Sequence, residues 1–149
     1  MSWRWRMLGS SESSTFLLEG QSNQPIENPS RADIVEALQA IHPISNSYFS
    51  LSDAGGSYVQ AAGARSRLTV EYRCVASGDF SHFVLGHAEG DFEKDVYINC
   101  RCGPVRIKKN EVLTIAEAIE IFVRFFEFHD APPQFVLRDV TEMFKDEPG

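Results

Sequence analysis

The chemically versatile residues of this chain are few: Cys74, Cys100 and Cys102, four histidines, and a short run of acids around residue 91. Cys74, Asp79 and His82 form the compact set that a thiol nucleophile with an adjacent base requires. On two strands joined by a turn at Ser77-Gly78-Asp79, Cys74 and His82 would stand near each other. In a strand, Cys100-x-Cys102 would point both thiols to one face, and with His82 and His87 they would offer zinc ligands. Structural zinc sites usually add a second cysteine pair, and none is present. The cysteines are therefore read as ordinary small residues, reduced as an odd count suggests, with no metal and no cofactor expected. His42 and His129 read as helix-end residues and His82 as partly exposed. The acids are Glu89, Asp91, Glu93 and Asp95, with Phe92 among them. Acid–base hydrolysis needs one carboxylate in an apolar pocket, which a solvated loop does not supply. Such a loop does suit recognition of a basic protein, with Phe92 as the apolar anchor. Glu89, Asp91, Phe92, Glu93 and Asp95 are the candidate partner-binding residues.

Other chemistries find less support. The chain has no G-x-S-x-G, phosphate-loop, H-E-x-x-H or dinucleotide pattern. Gly55-Gly56 and Gly63 lack the strand–loop–helix context of a phosphate site and read as turn glycines. Arg101, Arg106, Lys108 and Lys109 form the basic cluster, too small beside a net charge of −7 for a nucleic-acid binder. No apolar run approaches the length of about 20 residues that spans a bilayer. Arg4 and Arg6 imitate a signal peptide's basic start, but the polar stretch Ser10–Ser14 stands where the apolar segment should follow. The start is read as a mature terminus, and the expected location is cytoplasmic. Trp3 and Trp5 are read as docked on the body or as part of a mobile end spanning residues 1–13, with a second mobile end at 145–149.

These residues must be held by elements that the hydrophobic pattern outlines. The chain has 149 residues, 43% of them hydrophobic and 11 of them Phe, enough for one domain with an aromatic core. Thr15 to Glu19 reads as a first strand. Asn28 is expected to cap a helix that starts at Pro29 and runs to Ile41, with Ile34, Leu38 and Ile41 facing inward and Pro43 ending it. From Tyr48 the period drops to two. Tyr48–Leu51, Ser57–Ala62, 68–76 and Phe80–Gly86 follow as strands in hairpins, with turns at Ser52–Gly56, Gly63 and Ser77–Asp79. Leu68, Val70 and Tyr72 alternate with Thr69, Glu71 and Arg73, the mark of a half-buried strand carrying a cross-strand charge pair on its outer face. Val96–Cys100 and Val105–Ile107 are further strands around a loop. Thr114-x-x-Glu117 is a capping box. The helix it opens, about 115–129, carries Ile115, Ala118, Ile119, Phe122, Val123 and Phe126 inward, with Phe125 and Phe128 widening that face. Phe135–Val140 closes as a strand and Thr141–Phe144 as a turn. The pattern predicts an α+β fold in a single domain, an antiparallel sheet of about six to eight strands with two helices packed on it.

Three blocks resemble a known family. Ser57-Tyr-Val-Gln-Ala-Ala-Gly63 followed by Leu68-Thr-Val-Glu-Tyr-Arg73 resembles the central hairpin of the immunity proteins of bacterial polymorphic toxin systems, of the "immunity protein one" kind. Asn110–Thr114 leading into Ala118–Phe122 is similar to their second block, and Pro133–Phe144 to their closing block. The resemblance spans residues 28–144. In its closing strand it implies a tryptophan, where this chain has Leu137. It implies a cytoplasmic, non-enzymatic protein that blocks a cognate toxin, often a nuclease or deaminase. A basic toxin cleft would suit a partner of net charge −7. The expected partner is that toxin, with neither nucleic acid nor membrane. The competing expectations are a small homo-oligomeric adaptor whose exposed strands pair across a two-fold axis, and an enzyme using Cys74 and His82.

Overall fold

The computed structural model describes residues 15–145. The expectations for Trp3, Trp5 and the two ends lie outside the described residues, apart from Lys145 itself. In chain order the elements are β1 (Leu17–Gly20), β2 (Ile26–Glu27), α1 (Arg31–Gln39), β3 (Tyr48–Ser52), β4 (Tyr58–Ala64), β5 (Arg67–Ala76), β6 (Asp79–Gly86), β7 (Asp95–Ile98), β8 (Val105–Lys108), α2 (Ile115–Phe128) and β9 (Val136–Asp139). Single 3-10 turns occupy Lys109–Glu111 and Thr141–Phe144. Seven strands form an antiparallel sheet in the order β2-β1-β3-β4-β5-β6-β9, and β7 pairs with β8 as a separate hairpin. The fold is α+β. Among the described residues no helix is long and apolar enough to cross a membrane.

Local chemistry sets the element ends. Helix α1 starts after Ser30, not at Pro29. The Ser30 hydroxyl accepts from the Asp33 N–H at 3.0 Å, and the Asp33 carboxylate accepts from the Ser30 N–H at 2.9 Å, a reciprocal box that outcompetes a cap at Asn28. Asn28 instead takes a left-handed φ of 55° in the incoming turn. The helix ends at Gln39, short of both Ile41 and Pro43. Helix α2 begins as expected, with Thr114 and Glu117 bonding reciprocally. Gly63 is not a turn residue but lies within β4 at a φ of +135°, where a Cβ would stand 2.6 Å from the Arg67 carbonyl oxygen. Only glycine allows β4 to run so close to the start of β5.

Helices α1 and α2 cover the front of the sheet. There Leu51, Val59 and Tyr72 from the strands meet Ile34 and Leu38 of α1 and Phe122 and Phe125 of α2 in one buried cluster. The α2 stripe is rotated slightly from its expected position. Ile121 is fully buried and Phe128 is 59% exposed. The final turn of α2 packs Phe125 and Phe126 on the Phe16 ring, and the Arg124 guanidinium covers the outward Phe128 ring at 4.3 Å.

The rear of the sheet departs most from expectation. Strand β5 is buried on both faces: Thr69, Glu71 and Arg73 are 0%, 6% and 5% exposed. The β7–β8 hairpin and the segment after β9 lie over them, around a second apolar cluster of Val84, Ile98, Ile107 and Val140. His82, expected to be partly exposed, is fully buried for the same reason. Cys100 and Cys102 follow β7 in a turn and are joined by a disulfide, so they are not the reduced pair on a strand face that the sequence suggested. Cys74 is the free cysteine.

Candidate functional site

The acidic loop runs between β6 and β7 and is held at several points. Asn110, itself buried, donates from Nδ2 to the His87 carbonyl at 3.0 Å and accepts the His87 N–H on its own carbonyl at 2.8 Å. The Asn110 N–H donates to the Asp91 carbonyl at 3.0 Å, and the Lys109 N–H to the Lys94 carbonyl at 2.9 Å. Gly86 makes this contact possible, since a Cβ there would lie 2.7 Å from Asn110 Nδ2. Inside the loop the Asp91 Oδ1 accepts from the Glu93 and Lys94 N–H groups at 2.9 and 3.0 Å. Those backbone bonds, Glu93 first, hold the Asp91 carboxyl below the usual carboxylate range. Asp95 sits directly opposite Lys108 in the hairpin register and accepts its ammonium at 2.8 Å, which lowers the Asp95 pKa.

The five candidates therefore divide. Glu89, Phe92 and Glu93 stand exposed, with Phe92 at 49%. Asp91 and Asp95 are exposed too, but their carboxylates also fasten the loop and the hairpin. The arrangement is an acidic, ordered protrusion with an aromatic side chain among the charges. Its order lowers the entropy cost of docking.

Beside it, between the β7–β8 hairpin and the rear of the sheet, is a cleft of about 390 Å³. Glu71 of β5 lies at its floor, Val84, Ile107 and Val140 line its walls, and Arg138 and Asp95 stand toward its rim. Behind Glu71 is a buried polar chain. Gln60 Nε2 donates to Glu71 Oε1 at 3.0 Å, and His82 Nε2 lies 2.6 Å from the same oxygen. Arg73 Nε donates to His82 Nδ1 at 2.9 Å. An arginine can only donate, so Nδ1 carries the lone pair and Nε2 the proton. His82 is thus a neutral link between Glu71 and Arg73, in place of the direct cross-strand charge pair expected from β5. The Arg73 guanidinium lies over the Phe80 ring at 4.0 Å and the Phe144 ring at 5.2 Å. On the other side of the cleft Arg138 forms a two-pronged pair with buried Glu111, at 2.7 and 2.9 Å. Glu111 raises the Arg138 pKa above the usual guanidinium range. It also accepts the Lys108 N–H at 2.7 Å, fixing where β8 ends.

The other candidates are dispersed. Cys74 pairs in register with Ser81, and Arg73 with His82, so Cys74 and His82 project from opposite faces of the sheet. They form no nucleophile–base pair. Cys74 packs on the front core beside Tyr72, whose phenol is pushed up by burial and then by this thiol. Of the proposed zinc ligands, Cys100 and Cys102 are bonded to each other, His82 belongs to the Glu71 chain, and His87 lies 2.7 Å from Glu117. His129 caps α2 in a left-handed conformation and meets Asp53 at 2.8 Å, while His42 Nδ1 accepts from the Ile44 and Ser45 N–H groups. Arg106 and Lys108 of the basic cluster line the rim of the cleft.

Known proteins add no assignment: no family model matches the chain, and no curated protein matches it. Sequence reasoning missed Asn110, Glu111, Arg138 and the Gln60–Glu71–His82 chain. One signal was the alternation that puts Glu71 and Arg73 on one face of their strand and His82 and Val84 together on one face of the next. Facing these two strands in a hairpin would have raised the possibility of contact.

Proposed function

We propose that this chain is a non-enzymatic binding protein that neutralises a cognate bacterial toxin by occluding it, acting in the cytoplasm. The observation that carries the reading is the pinned acidic loop, which presents Glu89 and Glu93 around half-exposed Phe92. With a net charge of −7, that loop suits a basic protein surface. Charge would speed encounter, and the ring would supply an apolar anchor. The resemblance to polymorphic-toxin immunity proteins supports the same reading.

The test is capture from lysate of the source cells at low and high salt, followed by binding kinetics with the recovered protein. Glu89→Lys with Glu93→Lys reverses charge without touching the aspartate that caps the loop. This double variant should slow association and flatten its salt dependence. Unchanged kinetics would exclude the loop as the interface. Inhibition of the recovered protein's toxicity by the wild-type chain tests neutralisation itself.

A second reading, the homo-oligomeric adaptor, draws on the open sheet edge at β9, where Val136 and Leu137 are 38% and 41% exposed. A molar mass that rises with concentration, and falls to the monomer on Leu137→Lys, would favour it.

A further inference from the structure

The cleft beneath the β7–β8 hairpin contains a buried carboxylate with one oxygen left over. Both donors to Glu71, from Gln60 and His82, converge on Oε1. No described residue donates to Oε2, although the side chain is only 8% exposed. Glu71 lines the cleft, and this oxygen is the one left to meet a ligand there. Arg138 is bonded to Glu111 and adds its positive charge beside Glu71, while Lys108 is bonded to Asp95. Arg106 stands at the rim, opposite Tyr97 in the hairpin register. Val84, Ile107, Val140 and Phe144 give the way down to Glu71 an apolar wall beneath that charged rim. An apolar wall ending on one carboxylate oxygen fits an aliphatic stem with a compact cationic head. A guanidinium needs two free oxygens for its fork, whereas an ammonium is satisfied by a point contact.

We infer that this cleft receives a lysine side chain of the partner protein, its ammonium donating to Glu71 Oε2 and its stem lying along Val84, Ile107 and Val140. This rests on the toxin-binding reading above and deepens it. Asp95 belongs both to the acidic loop region and to the rim of the cleft, so the two surfaces form one continuous face. The loop steers the basic partner, and the cleft holds it.

The test uses the isolated wild-type protein and n-butylammonium as the probe, read by methyl NMR at Val84, Ile107, Val140 and Met143. Saturable shifts are expected at those methyls, with n-propylguanidinium binding more weakly. They should be lost in Glu71→Gln, which keeps the shape and removes the charge. n-Butanol and butyrate, lacking a positive head, should leave the methyls unmoved. No saturable shift with the ammonium, or equal shifts with the alcohol or the carboxylate, would overturn the assignment. These controls need no variant and so decide even if Glu71→Gln folds poorly. The partner is absent from this experiment, so failure would count against the cleft and leave the acidic-loop reading standing. With the recovered partner, Glu71→Gln should speed dissociation at unchanged association, the reverse of the loop variant. An unchanged dissociation rate would equally overturn it.

Discussion

His82 illustrates how one neutral side chain can settle two buried charges. Its ring accepts from Arg73 and donates to Glu71, so both groups bond to the same imidazole. Nitrogen NMR is expected to find Nε2 protonated and Nδ1 bare; the opposite tautomer would break the Arg73 bond. His82→Ala removes the ring that both groups bond to, which should cost about 2 kcal/mol of stability. The check is a lower urea midpoint at unchanged slope. A loss below about 0.5 kcal/mol, the size of a neutral surface change, would mean that water or a rearranged Arg73 replaces the ring. The residue types here were legible in the sequence, but their association was not. Gln60, Glu71 and His82 are each eleven positions apart, on three neighbouring strands, and only the register brings them together.

At the scale of elements, alternation and capping were the legible signals, because both act over a few residues. They located the four central hairpin strands and both helices, and assigned the faces of β5 and β6 correctly. They could not show that the rear face is covered, since its cover comes from β7, β8 and the segment after β9, which are remote in the chain. Helix α1 was misplaced at its start because Ser30 and Asp33 form a better box than Asn28 can. Four aspartates at element ends make a related prediction about pH. Asp91, Asp95, Asp130 and Asp139 are all held below the usual range, by hydrogen bonds from backbone, Lys108, Arg124 and Thr141 respectively. Their folded pKa values lie below their unfolded ones. Their contribution is therefore present above about pH 4 and is lost as pH falls through the lowered values. The melting temperature should fall through that window, modestly because these carboxylates are largely exposed. Asp139→Asn should flatten the drop, and an identical profile in that variant would show that the Asp139–Thr141 bonds do not form in solution.

At the scale of the whole molecule, the sheet is the middle of three layers, helices in front and hairpin behind. The disulfide sits in the loop of the rear hairpin and makes a count that chemistry can check. Of the three cysteines, Cys74 alone should react with a thiol reagent after denaturation without reductant, and all three after reduction. Three reactive thiols in unreduced protein would show that the pair is open as the protein exists in its cell. The order of synthesis gives the rear layer another consequence. His82 is closed off by the Thr141 hydroxyl, which accepts its N–H at 2.9 Å, and by the Phe144 ring, centred 4.1 Å away. β6 gains its outer neighbour only when Val136–Asp139 has been made. Until those residues leave the ribosome, β6 is the edge of the growing sheet and its His82 lacks the cover of Thr141 and Phe144. Polar groups on an unpaired strand discourage edge-to-edge association between chains. His82, later a link in a buried chain, thus serves the nascent protein as a guard on that unfinished edge.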